Sequence, residues 1–268
     1  MIKKANLGEK VDVIFNETIF YAESGGQISD RGSIFNNEFT GNVINSNKIK
    51  LGNDINIFIC NIEVISGELQ TGEIVSQKLD LDYRKKISSH HSATHLLHET
   101  LRQKLGNHVA QKGSLVTDER LRFDFSHPKP IEEKKLQDIE DEVNNRILSN
   151  DDVSTKIMTQ SKAIENGAIA LFGEKYGDQV RVVSMGKSID SNRNAWSVEL
   201  CGGTHVKNTS EISTFKIISE TGVSSGVRRI EAITNTAALK FYNSELNKIK
   251  TISSFLRTES SQVLKKIE

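Results

Sequence analysis

Apolar and polar residues alternate in several short runs of the N-terminal third of the chain. The runs are VDVIF (11–15), DINIFICNIEVI (54–65) and GEIVSQKLDL (72–81), and turn-forming sequences such as SGG, DRG, FNNE and LGND separate them. A period of two residues is typical of strands whose two faces meet different surroundings. The pattern predicts an antiparallel sheet, and we interpret residues 1–84 as a small antiparallel β-barrel.

The hydrophobic period lengthens to that of a helix in the next segment. The run SATHLLHETLRQKLG predicts an amphipathic helix within residues 85–106, which begins at Ser89 or Ser92 and ends at Gly106. A second periodic run follows two prolines and predicts a helix over residues 131–149.

Short strand-like runs return between residues 153 and 234. They read VSTKIM, QVRVVSM, AWSVEL, STFKIIS and GVRRIEAIT, and a short helix is expected over residues 160–166. With the two helices they indicate a mixed α/β domain over residues 85–235, and the class of the whole chain is α+β. Residues 236–268 follow a helical pattern without a cap at the end, so we predict the start of a helical linker in a longer protein.

Composition narrows the functional classes only a little. The 268 residues include 35 basic and 35 acidic side chains, so a site for a polyanion such as RNA must be local. The two cysteines, Cys60 and Cys201, are far apart, which argues against a disulfide framework and predicts a cytoplasmic protein. No apolar run approaches the roughly 20 residues of a membrane span, so no membrane partner is expected.

Four of the seven histidines fall in the run SSHHSATHLLH. A helix that turns about 100° per residue places His91, His95 and His98 within about 60° of one another, with His90 about a quarter-turn away. Two histidines four residues apart can present ring nitrogens to one metal, although the glutamate that marks metalloproteases is missing here. The alternative is a set of surface or capping histidines, and we interpret His98 as a satisfied helix-face residue and a reserve ligand.

A second pair of candidate ligands consists of Cys201 and His205. Gly202 and Gly203 lie between them and allow the backbone to fold so that a thiolate and an imidazole face one point. The two pairs together supply four nitrogen and sulfur ligands, a set that zinc favours over magnesium or calcium. Four protein ligands close a tetrahedral site, so either one ligand is loose or the metal mainly positions the pocket.

These residues lie in motifs that resemble a known family. HHSATHLLHETLRQKLGNHVAQKGSLVTDERLRFDFSH (90–127) and VELCGGTHVKNTSEISTFKIISETGVSSGVRRIEAIT (198–234) resemble the editing region of alanyl-tRNA synthetases. FYAESGGQISDRG (20–32) resembles the β-rich segment that precedes this region, and ALFGEKYGDQVRVVSMG (170–186) also agrees. The freestanding AlaX-type editing proteins share the two ligand pairs.

The resemblance implies a part of an alanyl-tRNA synthetase without its aminoacylation domain, which is the part that uses ATP and Mg²⁺. The implied reaction is hydrolysis of the ester that joins serine or glycine to the 3′ end of alanine tRNA. A pocket shaped for alanine cannot exclude the smaller glycine, and it rejects a hydroxyl-bearing analogue such as serine by only about a hundredfold. The alternatives are a freestanding AlaX-type deacylase and a zinc-stabilised tRNA-binding module without activity.

The resemblance also implies roles for individual residues. Thr94 bonds the serine hydroxyl or, alternatively, its own helix carbonyl. Gln111 holds the substrate or orients the attacking water. The run SGGQ (24–27) is a tight turn, and in the family this loop lies near the editing pocket. The implied zinc ligands are His91, His95, Cys201 and His205.

Three further residues complete the expected pocket. Asp124 accepts hydrogen bonds from the substrate ammonium group; the alternative is an ion pair with Arg120 or Arg122. The backbone N–H groups around Gly202 and Gly203 are candidates for stabilising the oxyanion of the tetrahedral intermediate, because glycine permits close approach.

The expected partner is alanine tRNA, chiefly its aminoacylated 3′ end. Basic groups at Arg84, Lys85, Arg228 and Arg229 are candidates for contacts with phosphates, and each is equally compatible with a solvated strand end. Self-association through the helix over residues 236–268 is a further expectation for the full-length parent.

Overall fold

The computed structural model describes residues 3–52, 55–169, 177–187 and 195–268. Its helices and antiparallel sheets form a mixed α+β fold, as predicted. Residues 170–176, which begin the motif ALFGEKYGDQVRVVSMG, lie outside the described residues.

The N-terminal strands form an open sheet rather than the predicted barrel. The strands are β1 (Lys4–Asn6), β2 (Lys10–Val13), β3 (Gly32–Phe35), β4 (Thr40–Leu51), β5 (Ile55–Ser66), β6 (Glu68–Gln70) and β7 (Ser76–Leu79). Five of them form a sheet of order β2-β5-β4-β3-β7, and β1 pairs with β6 in a second sheet. Among the described residues the edge strands β2 and β7 are unpaired with each other. Each has 4 residues against 12 in β4 and in β5, and the sheet is open because a barrel requires its two edge strands to pair.

Helix α1 (Leu81–Leu105) carries the predicted histidine stripe. It begins before the predicted start at Ser89, because the Asp80 carboxylate caps it by accepting a hydrogen bond from the Tyr83 N–H at 2.9 Å. It ends as predicted at Gly106, whose φ of 117° suits glycine.

The largest hydrophobic core lies between α1, a second helix and a four-stranded sheet. The next elements are β8 (Gln111–Val116), β9 (Leu121–Ser126), α2 (Glu133–Leu148), β10 (Val153–Thr159), α3 (Gln160–Glu165), β11 (Gln179–Met185), β12 (Ser197–Leu200), β13 (Phe215–Ser224) and β14 (Val227–Thr234). The sheets have the orders β13-β14-β9-β8 and β10-β11-β12. Leu97, Phe123 and Ile139 are fully buried in this one core. The first predicted domain limit, at residue 84, falls inside helix α1. The limits at residues 84 and 235 stay predictions.

The C-terminal segment is helical but is not the single helix that was predicted for residues 236–268. Helix α4 (Asn235–Leu256) ends where Arg257 adopts a left-handed conformation with φ 47°. A 3-10 turn (Ser260–Gln262) and a short helix α5 (Val263–Ile267) follow. Within the described ranges, the helices include none that is long and apolar enough to cross a membrane.

Replacing Phe123 with alanine should lower the free energy of unfolding by about 3–5 kcal/mol, because its side chain is fully buried and the lost ring leaves a cavity. The matched change Phe255→Ala, at a side chain that is 85% exposed, should alter it by no more than about 0.5 kcal/mol. Urea denaturation followed by circular dichroism measures both values. Equal losses in the two variants would contradict the core position of Phe123.

Candidate metal centre

Four side chains from two distant parts of the chain converge on one buried point. His91 and His95 come from α1, and Cys201 and His205 come from the loop after β12; their candidate ligand atoms all lie within 4.8 Å of one another. The Cys201 Sγ atom is 3.4 Å from His91 Nε2 and 3.3 Å from His205 Nε2. The structure therefore brings together the two pairs that the sequence singled out.

In each of the three histidines of the cluster, the Nδ1 atom has a hydrogen-bond partner. The Nδ1 atoms of His91 and His95 lie 2.6 Å from Gln27 Oε1 and 2.8 Å from Glu199 Oε2. His205 Nδ1 lies 3.2 Å from the hydroxyl of Ser92. Because amide and carboxylate oxygens only accept, the first two Nδ1 atoms carry protons, and these hydrogen bonds leave Nε2 directed at the cluster.

The cluster fits a metal ion. His95 Nε2 is buried and has no hydrogen-bond partner among the described residues, as expected for a nitrogen whose natural partner is a metal. The Glu199 carboxylate fixes the orientation of the His95 ring through Nδ1, which is the usual arrangement around a metal-bound histidine. The structure therefore contains a site that can hold a metal such as zinc, with three imidazoles and one thiolate as the donor set.

Gly203 makes the approach of α1 to the ligand loop possible. A Cβ atom at this position would lie 2.0 Å from His91 Cε1 and 2.3 Å from His91 Nδ1. The Gly203 N–H donates to Cys201 Sγ at 3.4 Å, so this donor already serves the sulfur rather than a substrate oxyanion. Gly202 is exposed, and a Cβ there would meet open space.

Neighbouring charges set the protonation of the ligands. Burial raises the pKa of the Cys201 thiol, but the charges of the three surrounding histidines lower it well below its ordinary value. Burial lowers the pKa of His95, but the negative charges of Glu199 and Cys201 raise it to about 10. Burial and the charge of His91 lower the pKa of His205 to about 3. These charges favour the thiolate form of Cys201, which is the form that binds metals.

Gln27 connects the N-terminal sheets to this site and was missed as a functional residue in the sequence. It is fully buried, and its Oε1 also accepts from the Thr204 N–H at 2.9 Å while its Nε2 donates to Thr204 Oγ1 at 3.0 Å. Gln27 ends the SGGQ run, which forms the expected tight turn: Ser24 and Gln27 exchange backbone hydrogen bonds, with positive φ at both glycines between them. The turn therefore lies beside the His/Cys cluster, and the SGGQ run was the signal in the sequence that pointed to this part of the chain.

Glu199 and Arg181 were missed as well. Glu199 is buried and accepts from His95 and His98, the latter at 3.0 Å from Nδ1 to Oε1. Glu199 lies on β12, two residues before Cys201, which begins the loop after that strand. Arg181 Nη1 donates to the carbonyls of Cys201 and Gly203 at 2.8 and 2.7 Å, a contact that no local pattern reveals.

The predicted substrate residues lie around α1 and the four-stranded sheet. Thr94 is buried, and its hydroxyl donates to the His90 carbonyl at 2.9 Å, the alternative that the sequence analysis left open. Gln111 is partly buried at the start of β8. Asp124 is buried and accepts two hydrogen bonds from Arg229, from Nε at 2.6 Å and from Nη2 at 2.8 Å.

Three of the four predicted tRNA-binding residues pair with carboxylates. Arg84 Nε donates to Asp30 Oδ1 at 2.9 Å, Arg228 Nη2 donates to Glu220 Oε2 at 2.6 Å, and Arg229 pairs with Asp124 as above. Lys85 is exposed. The alternative reading of Asp124, an ion pair with Arg120 or Arg122, is met in part: Arg122 Nε lies 4.0 Å from Asp124 Oδ1. The shorter contact is with Arg229 of β14, which the sequence did not suggest.

The run GVSSG (222–226) matches the G-x-S-x-G spacing of serine hydrolases. In those enzymes the serine occupies a turn from a strand into a helix. Here the run spans the end of β13 and the turn into β14, and the two strands form an antiparallel hairpin. The serine is therefore not placed as such a nucleophile.

Comparison with known proteins agrees with the motifs. Residues 180–231 match the family model described as the threonyl and alanyl tRNA synthetase second additional domain, and residues 1–83 match that of class II (A) tRNA synthetases. Alanine--tRNA ligase of Chelativorans sp. (strain BNC1) is 47% identical over 270 residues, which cover 100% of this chain and 30% of that protein. The chain thus spans less than a third of the length of this relative. The two family models and this relative confirm the resemblance: in sequence, the chain corresponds to a part of an alanyl-tRNA synthetase.

Proposed function

We propose that this chain is the editing part of an alanyl-tRNA synthetase. It hydrolyses the ester that joins serine or glycine to the 3′ end of alanine tRNA, at a site that contains zinc. The observation that supports this most is the buried cluster of His91, His95, Cys201 and His205 within 4.8 Å of one another. The match to the second additional domain over residues 180–231 adds support from sequence.

The four cluster residues would hold the zinc. Imidazole and thiolate are the ligands that zinc prefers, and hard cations such as magnesium prefer oxygen. The metal supplies a positive charge and a Lewis acid beside the reacting ester. Gln27 and Glu199 hold His91 and His95 in the orientation that binds it.

Thr94 is the proposed residue that distinguishes serine from alanine. Its hydroxyl proton is used by the His90 carbonyl, which leaves the oxygen lone pairs free to accept from a serine hydroxyl. Alanine offers no such donor, so this contact favours serine only. Gln111 holds the substrate or orients water, and Gly202 offers an exposed backbone for the oxyanion.

Asp124 is proposed to receive the ammonium group of the substrate. Its two oxygens bind Arg229 in this structure, so an incoming ammonium shares or replaces that pair. Each carboxylate oxygen has two lone pairs, and Asp124 therefore has the capacity for both cations.

A second candidate function is a zinc-stabilised tRNA-binding module without activity. The observation that favours it is the number of ligands: four protein side chains fill a tetrahedral zinc site, which is typical of structural zinc. In either case alanine tRNA is the proposed partner, and its 3′ end meets the cluster.

Deacylation of purified seryl- and glycyl-alanine tRNA tests the two functions. We expect the zinc-loaded chain to release serine and glycine faster than alanine, and we expect removal of the metal with a chelator to abolish the release. Acid-quenched time courses with radiolabelled amino acid measure the rates. Intact tRNA binding without deacylation by the folded, zinc-loaded chain would favour the binding module, and full activity of the zinc-free chain would exclude a catalytic metal.

Loss of a residue that only orients a metal ligand lowers metal affinity by roughly 10–100-fold. Cys201→Ala removes a proposed ligand itself, so it should lower zinc affinity by more than that and should reduce deacylation in parallel. Cys60→Ala is the matched control, since Cys60 is a buried thiol of the N-terminal sheet near Ser46 and Thr18. It should retain both zinc and activity. Metal analysis after dialysis and the deacylation assay give the result; unchanged zinc in Cys201→Ala would remove this residue from the site.

Gln27→Leu should weaken zinc binding by about 10–100-fold, because it removes the acceptor that orients His91 while keeping a similar volume. Gln27→Glu retains that acceptor and should weaken binding less. Gln137→Leu, at an exposed position of α2, is the control and should change nothing. Competition with a zinc chelator measures the affinities, and equal affinity of Gln27→Leu and the control would contradict the orienting role.

A further inference from the structure

A cavity of about 750 Å³ opens beside the metal centre. Gly202 and Thr204 line it from the ligand loop, and Lys48 and Phe58 line it from the hairpin of β4 and β5. Its volume falls in the range of about 300–1,000 Å³ that is usual for small-molecule pockets. The cavity therefore connects the loop that carries Cys201 to one face of the N-terminal sheet.

The sheet face in this cavity has an aromatic ring beside a cation. Lys48 and Phe58 are directly opposite each other in the register of β4 and β5, so their side chains are neighbours on the same face. Lys48 is exposed, and Phe58 is 40% exposed although it is a large apolar side chain. Exposed aromatic rings with nearby cations are the means by which sheet surfaces bind unpaired nucleotides, through stacking and phosphate contacts.

The wall between this face and the ligand loop is held in place. Arg84 lines the cavity, donates from Nη2 to the Ile19 carbonyl at 3.1 Å and pairs with the buried Asp30. Tyr21 also lines it and donates to the Ser24 carbonyl at 3.0 Å. Because Asp30 neutralises Arg84, Lys48 is the lining cation for which the described residues show no ion pair, and it is the group available to a phosphate; the one lining carboxylate is Glu17.

We propose that this cavity binds the terminal nucleotide of the RNA whose 3′ ester the chain hydrolyses. The base stacks on Phe58, the phosphate lies near Lys48, and the ester end points to Gly202 and Thr204 beside the metal centre. The inference rests on the proposed function, since that function supplies an amino acid ester of a terminal nucleotide. It adds the place where the nucleotide part of the substrate is held.

The test uses a stable analogue in which an amide replaces the ester, 3′-deoxy-3′-serylamino-adenosine 5′-monophosphate. Titration calorimetry with the metal-loaded 268-residue chain should show binding that Phe58→Ala weakens roughly tenfold or more, the effect of losing one stacked base. Phe58→Tyr keeps a stacking face and should restore affinity. Phe35→Ala is the matched control, because Phe35 is also 40% exposed and lies on β3 of the same sheet.

The charge contact has its own pair of variants. Lys48→Ala should weaken binding of the analogue and make it less sensitive to salt, while Lys50→Ala, two residues along the same strand, should do neither. Serinamide, which lacks the nucleotide, should bind equally to the parent chain and to Phe58→Ala. Circular dichroism checks that each variant is folded, and Lys48→Ala gives an independent answer if Phe58→Ala is not.

The outcomes separate this inference from the proposed function. Equal affinity of Phe58→Ala, Phe35→Ala and the parent chain for the analogue would overturn the nucleotide site, even if deacylation is found. Binding of the analogue that depends on Phe58 and Lys48, in a chain that releases no serine from its tRNA, would support the nucleotide site and reject the deacylase. Binding to serinamide alone would also overturn the inference.

Discussion

The burial of a polar stretch of helix α1 governs how the rest of the protein packs. Every residue from Ser88 to Leu101 is buried, although most are serine, histidine, threonine or glutamate. Buried polar groups cost free energy unless they are hydrogen-bonded. His90 illustrates the solution: its Nδ1 lies 2.8 Å from the Thr117 carbonyl, and its Nε2 accepts from the Thr234 N–H at 3.1 Å. Burial lowers its pKa to about 4, so this histidine is a neutral structural link.

The same requirement assembles the metal centre from parts that are far apart in the chain. Gln27 supplies an acceptor from the N-terminal turn and Glu199 one from β12, and each satisfies one histidine. The turn is held against β8, where Gly26 lies so close to the Ser114 carbonyl that a Cβ would be 2.4 Å from its oxygen. A disturbance of the N-terminal sheets would therefore reach the ligands through Gln27.

The site combines a rigid part and an open part. Arg181, Gln27 and Thr204 hold the ligand loop through several hydrogen bonds. Gly202 remains exposed on the same loop and faces the cavity. Such an arrangement would keep the proposed ligands fixed while a substrate approaches from one side, which is the condition for a preorganised site.

Local patterns in the sequence were enough to predict the α+β class, the two pairs of candidate ligands that the fold brings together and the helix end at Gly106. These features follow from helix period, residue chemistry and the conformational freedom of glycine, which act over a few residues. The barrel prediction was wrong because apolar and polar residues alternate in the same way along the strands of an open sheet and of a closed barrel. The pairing of Asp124 with Arg229 and the contact of Gln27 with His91 depend on segments 105 and 64 residues apart. Such contacts exist only once the elements have packed, since no local period specifies which buried donor meets which acceptor.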